Sequence, residues 1–111
     1  MRLSSESRFV DKDIQKAFYN LKDGDAQERE LFKTINYALD AIEENAFSGI
    51  QIPKKIIPKY YIQKYQIKNL WKYNLPKGWR LFYSIINDEI VVVCLILEWL
   101  NHTDYEKRFN Y

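Results

Sequence analysis

Four side chains in this sequence have the chemistry to steady a negative charge or move a proton: Arg80, Lys72, His102 and Tyr105. Arg80 sits in a segment of alternating polarity, on the same face as Phe82, Ser84 and Ile86. Its planar fork of donors suits a phosphate better than a lysine would. Lys72 alternates with Trp71 and Tyr73, so it shares a strand face with Leu70 and Asn74. His102 follows a long apolar run and precedes a helix signal, and imidazole is the side chain best matched to proton transfer near neutral pH. Tyr105 can stack on a base or donate a proton. Each has a plainer reading as an ordinary surface or packing residue. Their weight is joint.

The charge pattern says which anion they would meet. Residues 45–87 carry eight basic side chains and no carboxylate, whereas residues 1–44 and 88–111 each sum to −3, so the formal net charge of +2 conceals a basic centre. Trp71, Trp79, Tyr60, Tyr61, Tyr65, Tyr73 and Tyr83 are interleaved with those cations. Cations mixed with rings suit a polyanion whose bases can stack. RNA also supplies its own nucleophile, the 2′-hydroxyl beside each phosphate. A base to take that proton, an acid for the leaving 5′-oxygen and cations for the extra charge on phosphorus then suffice. No metal or cofactor is expected. In this reading Lys64, Lys68, Lys77 and Arg108 hold the RNA backbone and Trp71 offers a ring to a base.

Other chemistries lack their residues. One histidine and one cysteine do not make the usual zinc ligand sets. Three scattered glycines cannot form a phosphate-binding loop, and Ser84 has no nucleophile-elbow sequence. Cys94 lies inside the apolar run Ile90–Leu97 and reads as a buried small hydrophobe. A lone cysteine, a polar Met1–Val10 and apolar runs far below the ~20 residues of a membrane span predict a cytoplasmic protein.

The elements that must position these groups follow from periodicity. The 111 residues predict one domain over 1–111. Ser7–Val10 predicts a short strand. Asp11 caps a helix whose stripe is Ile14, Ala17, Phe18 and Leu21, stopped at Gly24. Asp25 and Glu28 form a capping box for a second helix, with stripe Leu31, Phe32, Ile35, Leu39, Ile42 and Ala46, ending near Gly49. Pro53 and Pro58 interrupt the next stretch, leaving a loop with one helical turn at Pro58–Lys64. Strands are predicted at Leu70–Leu75, Trp79–Ile86 and Glu89–Trp99, with turns at Pro76-Lys77-Gly78 and Asn87-Asp88. The last strand lacks polar alternation and should lie in mid-sheet. Thr103 and Glu106 predict a capping box for a short C-terminal helix. The sum is an α+β fold: an N-terminal helical hairpin on one face of a twisted antiparallel sheet, with the other face open for binding.

Leu70-Trp71-Lys72-Tyr73-Asn74-Leu75, Gly78-Trp79-Arg80-Leu81-Phe82-Tyr83-Ser84-Ile85 and His102-Thr103-Asp104-Tyr105 together resemble the RelE/ParE toxin superfamily, most closely its RelE-like branch. The resemblance implies a small ribonuclease that cuts messenger RNA, often on the ribosome, and is restrained by a small acidic antitoxin. It implies that Arg80 contacts the scissile phosphate with help from Lys72. Tyr105 and His102 would serve as acid or base, and Arg108 as a tail cation. Two other readings share the scaffold: a toxin that poisons gyrase without cutting anything, and a plain RNA-binding module. No heptad pattern points to a stable homodimer.

Overall fold

The computed structural model describes residues 2–87 and 91–110. The sheet contains β1 (Glu6–Phe9), β2 (Ile50–Gln51), β3 (Trp71–Asn74), β4 (Arg80–Asn87) and β5 (Val92–Leu100), in the spatial order β1-β5-β4-β3-β2. Four helices accompany it: α1 (Lys12–Leu21), α2 (Ala26–Glu44), α3 (Lys59–Tyr65) and α4 (His102–Phe109). Strands β3 to β5 form the expected antiparallel meander, β2 adds an antiparallel edge beside β3, and β1 joins the far side of β5 in parallel, which makes the sheet mixed. The α+β architecture with an N-terminal hairpin and a short C-terminal helix stands.

The caps of the hairpin form as their residues dictate. The Asp11 carboxylate accepts from the Ile14 N–H at 2.8 Å. Asp25 and Glu28 satisfy each other's backbone N–H groups in a complete capping box. Phe18, Leu31, Ile35, Ala38, Leu39 and Ile42 then pack on Leu81, Tyr83, Cys94 and Ile96 of the sheet. Helix α2 stops at Glu44, earlier than the expected end near Gly49, because the Asn45 side chain caps a following 3₁₀ turn at Ala46–Ser48. The chain beyond it, expected as loop, adds β2 to the sheet edge.

The second face is not open. Ile52, Ile57, Tyr61, Leu70, Phe82, Leu97 and Tyr105 make a second buried core there, roofed by α3 and α4. The Pro53–Gln66 segment that breaks helical periodicity is the cover for this face. Strand β5 lies between β1 and β4 with Val93, Cys94, Ile96 and Leu97 buried, as its unbroken apolar run requires. The expected turn at Asp88 and the strand start at Glu89 fall outside the described residues.

Two local devices shape this face. In β4, Tyr83 opposes Ile96 while Phe82 opposes Glu98, so Leu97 is an extra residue in β5. That bulge turns Glu98 toward α4. At the other end, the Asn69 side-chain amide replaces a missing strand partner: Oδ1 accepts from Ile85 N–H at 2.8 Å and Nδ2 donates to the Ile85 carbonyl at 2.9 Å. The buried Ser84 hydroxyl donates to the Asn69 carbonyl at 2.8 Å, so it serves the sheet.

Candidate functional site

Neighbouring strands deliver the two leading cations to one face. In the β3–β4 ladder Lys72 opposes Phe82 and Asn74 opposes Arg80. Alternation therefore puts Lys72, Asn74, Arg80 and Phe82 on the side that α4 covers. Tyr105, on the first turns of α4, descends between the cations. Its ring stacks on Phe82 with centroids 6.0 Å apart and tilts against Phe109 at 4.9 Å. Lys72 Nζ donates to the Tyr105 hydroxyl at 3.1 Å, and the Arg80 guanidinium carbon lies 4.5 Å from the Tyr105 ring centroid. An ammonium and a guanidinium thus share one ring.

Among the described residues neither Lys72 nor Arg80 takes part in an ion pair. Arg80 Nη1 donates to the Gly78 carbonyl, and its buried Nε has no acceptor among the described residues. An arginine carries five donors, so this site is short of acceptor oxygens. It is electrostatically suited to an anion with several of them, such as a phosphate.

The turn before β4 completes the rim. Lys77 and Gly78 both adopt left-handed backbone, with φ of 62° and 81°. At Gly78 an added Cβ would lie 3.4 Å from the His102 Cβ and 3.8 Å from Arg80 Nη1, so glycine admits both neighbours. His102 opens α4 one helical turn before Tyr105. Its Nε2 lies 2.8 Å from the Glu106 carboxylate, and its side chain is 62% exposed. The imidazole stands at the margin of the cation cluster, held by Glu106. Asn101 caps α4, its side chain accepting from Asp104 N–H at 2.8 Å, in place of the expected Thr103 box. That shift leaves Glu106 free to engage His102.

The other candidates sit elsewhere. Trp71 lies on the opposite sheet face, stacked on Tyr83 at 6.2 Å and tilted against Phe47 at 5.6 Å, so it does not share the Lys72 face. Lys68 and Lys77 are exposed beyond the strand ends. Lys64 on α3 donates to the Tyr60 hydroxyl at 3.0 Å. That bond, with Tyr65 beside it, holds the ammonium above the usual lysine range. Arg108 is committed within the fold: it pairs with Glu98 at 3.3 Å, and its guanidinium carbon lies 3.6 Å from the Tyr60 ring centroid. Burial opposes its charge, yet the Glu98 carboxylate leaves its pKa above the ordinary value. Sequence reasoning missed Glu98 and Glu106 as partners of the tail; the helical spacing of His102 and Glu106 was the available signal for the second.

A helical hairpin thus lies on one face of a small sheet, and on the other Lys72 and Arg80 meet Tyr105 under a short C-terminal helix. Residues 7–98 match the family model for the ParE toxin of type II toxin–antitoxin systems, and the chain belongs to that family. It is a type II toxin, and its family partner is a cognate antitoxin. The matched segment holds Lys72 and Arg80 and ends before α4. No curated protein and no solved structure gives a significant match. Among the described residues no helix is long and apolar enough to cross a membrane.

Proposed function

We propose that this toxin is a metal-independent endoribonuclease that cleaves messenger RNA, with the ribosome as its setting. The single observation that carries the reading is the convergence of Lys72 and Arg80 on Tyr105, with neither cation in an ion pair among the described residues. A phosphodiester bound there would place its non-bridging oxygens on Arg80 and Lys72. The 2′-hydroxyl attacks the adjacent phosphorus as its proton passes to a base, for which His102 is the candidate. Tyr105 protonates the departing 5′-oxygen, and Lys72 beside the phenol steadies the charge left on it. The products are a 2′,3′-cyclic phosphate and a 5′-hydroxyl. Lys64, Lys68 and Lys77 extend the cationic track for the flanking backbone.

The test is cleavage of a translated messenger RNA in the presence of EDTA, comparing wild type with Arg80→Ala. Persistent cleavage by wild type and its loss in the variant support the reading. Equal cleavage by both overturns it.

One observation favours a second reading. The family match covers the phosphate-facing cations but not the α4 segment that carries His102 and Tyr105. A toxin that needs only the cationic face would bind gyrase without cutting RNA. Inhibited supercoiling with intact messenger RNA selects that alternative.

A further inference from the structure

Arg108 ties three elements together. It lies in the last turn of α4, pairs through Nε and Nη2 with both Glu98 oxygens of β5 at 3.3 and 3.4 Å, and covers the Tyr60 ring of α3. Neither partner is a loose surface charge: the Glu98 side chain is 14% exposed and that of Arg108 is 28%. The Tyr61 phenol lies beside the pair. Burial first, and then the Glu98 carboxylate, push it far above the ordinary tyrosine range. The forked geometry fixes orientation as well as distance, because a planar guanidinium must meet the carboxylate edge-on while presenting its face to the ring.

Helix α4 depends on such anchoring. Eight residues are too few to hold a helix in isolation, so its position is set by what it docks on. Arg108 follows Tyr105 by one helical turn, on the same side of α4. Glu98 reaches it only because the β5 bulge inserts Leu97 and turns the carboxylate to this face. A bulge that re-aims one carboxylate at the helix carrying the site is the structural signature of a positioning device.

We propose that Glu98 and Arg108 are positioning residues, a fork-and-stack clamp that sets the height of the Tyr105 hydroxyl over Lys72 and Arg80. The inference rests on the reading above that those three groups form the anion site. A clamp differs from a mere stabilising pair in what it controls. Loosening it moves the Tyr105 hydroxyl relative to the two cations while the sheet and the helical hairpin remain folded. An error near 1 Å at a reacting group is worth on the order of 10²-fold in rate.

The experiment uses the full chain with 3-fluorotyrosine incorporated, its Tyr105 fluorine resonance assigned by Tyr105→Phe. Arg108→Lys and Glu98→Gln retain much of the side-chain volume and lose the bidentate fork. In both, the Tyr105 resonance should shift or broaden, and its response to added inorganic phosphate should require at least tenfold more phosphate than in wild type. Cleavage should lose kcat, on the order of 10²-fold, with little change in KM. A wild-type Tyr105 resonance and wild-type phosphate response in both variants would overturn the clamp. If the wild-type protein itself shows no phosphate response, the anion site has failed rather than the clamp. The resonance position in the two variants then decides the clamp by itself: displaced supports it, unmoved refutes it. Should Glu98→Gln fail to fold, Arg108→Lys carries the test, because it leaves the β5 carboxylate in place.

Discussion

The Lys72 ammonium donates to the Tyr105 hydroxyl at 3.1 Å, although the two residues come from opposite layers of this face. The bond joins a strand, whose register is fixed by the sheet, to a short helix whose position is set by what it docks on. It gives each substitution in the cluster a separable meaning.

Tyr105→Phe keeps the ring on Phe82 and Phe109, so the second core and the melting temperature should hold close to wild type. It removes the group to which Lys72 donates. If the phenol protonates the leaving oxygen, cleavage should fall by about 10²–10⁴-fold while RNA is still bound. Cleavage at the wild-type rate would remove Tyr105 from the chemistry.

Arg80 should be less forgiving of change than its exposure suggests. Replacing it with alanine strips the guanidinium from the Tyr105 ring, and cleavage should drop by about 10²–10³-fold, the usual worth of a donor to a developing oxyanion. Arg80→Lys should recover only a small part, because an ammonium cannot span two phosphate oxygens and stack at once. Growth arrest on induction, scored beside a cleavage assay, measures both variants. Full toxicity of Arg80→Ala with uncut RNA would favour the gyrase reading.

The sequence made the strand faces of the candidates Lys72 and Arg80 legible, because β3 and β4 obey the alternation of two that placed Lys72 with Asn74 and Arg80 with Phe82. The hairpin helices were legible for the same kind of reason: their caps and stripes act locally. What escaped was tertiary. The bulge at Leu97 adds one residue inside an apolar run, where no polar alternation exists to reveal it, so Glu98 could not be assigned to the α4 side. Arg108 therefore read as a cation for RNA when its charge is already answered by Glu98. The covering of the second face was hidden because Pro53 and Pro58 erase the helical period, although Ile52, Ile57 and Tyr61 supply its core. Asn101 and Thr103 are both good caps by type, and only the docking of α4 distinguishes them.

The edge of the site depends on a close contact at Gly49. A Cβ there would lie 2.6 Å from the Lys72 carbonyl oxygen and 2.6 Å from the Tyr83 hydroxyl. The Lys72 backbone is in the sheet and cannot yield easily. Gly49→Ala should thus destabilise the protein by about 1–3 kcal/mol, the usual cost of overpacking, as read from urea unfolding. The same Tyr83 hydroxyl accepts from Gly49 N–H at 3.0 Å and donates to the Ala46 carbonyl at 2.8 Å. Tyr83→Phe abandons both groups and should cost a similar ~1–3 kcal/mol. An unchanged unfolding midpoint in both variants would mean that this contact carries no stability.

Two buried phenols and the buried thiol give the fold a defined weakness to alkali. Burial is the leading cause that raises Tyr61, Tyr83 and Cys94 above their ordinary values of 10.0, 10.0 and 9.0. In the unfolded chain these groups ionise at their ordinary values, while the folded state keeps them protonated at higher pH. Beyond that point the unfolded state binds fewer protons, so stability must fall as pH rises. The contribution of Cys94 is whole below pH 9.0 and that of each phenol is whole below pH 10.0, with the loss growing above those values. Urea midpoints should accordingly stay level near neutrality and decline once the pH passes 9.0 to 10.0. Tyr61→Phe removes one titrating group without removing its ring from Phe82, so the decline should be shallower in that variant than in wild type. A decline of equal steepness in the variant would show that Tyr61 ionises alike in both states, and that its place beside Glu98 is more open to water than the packing implies.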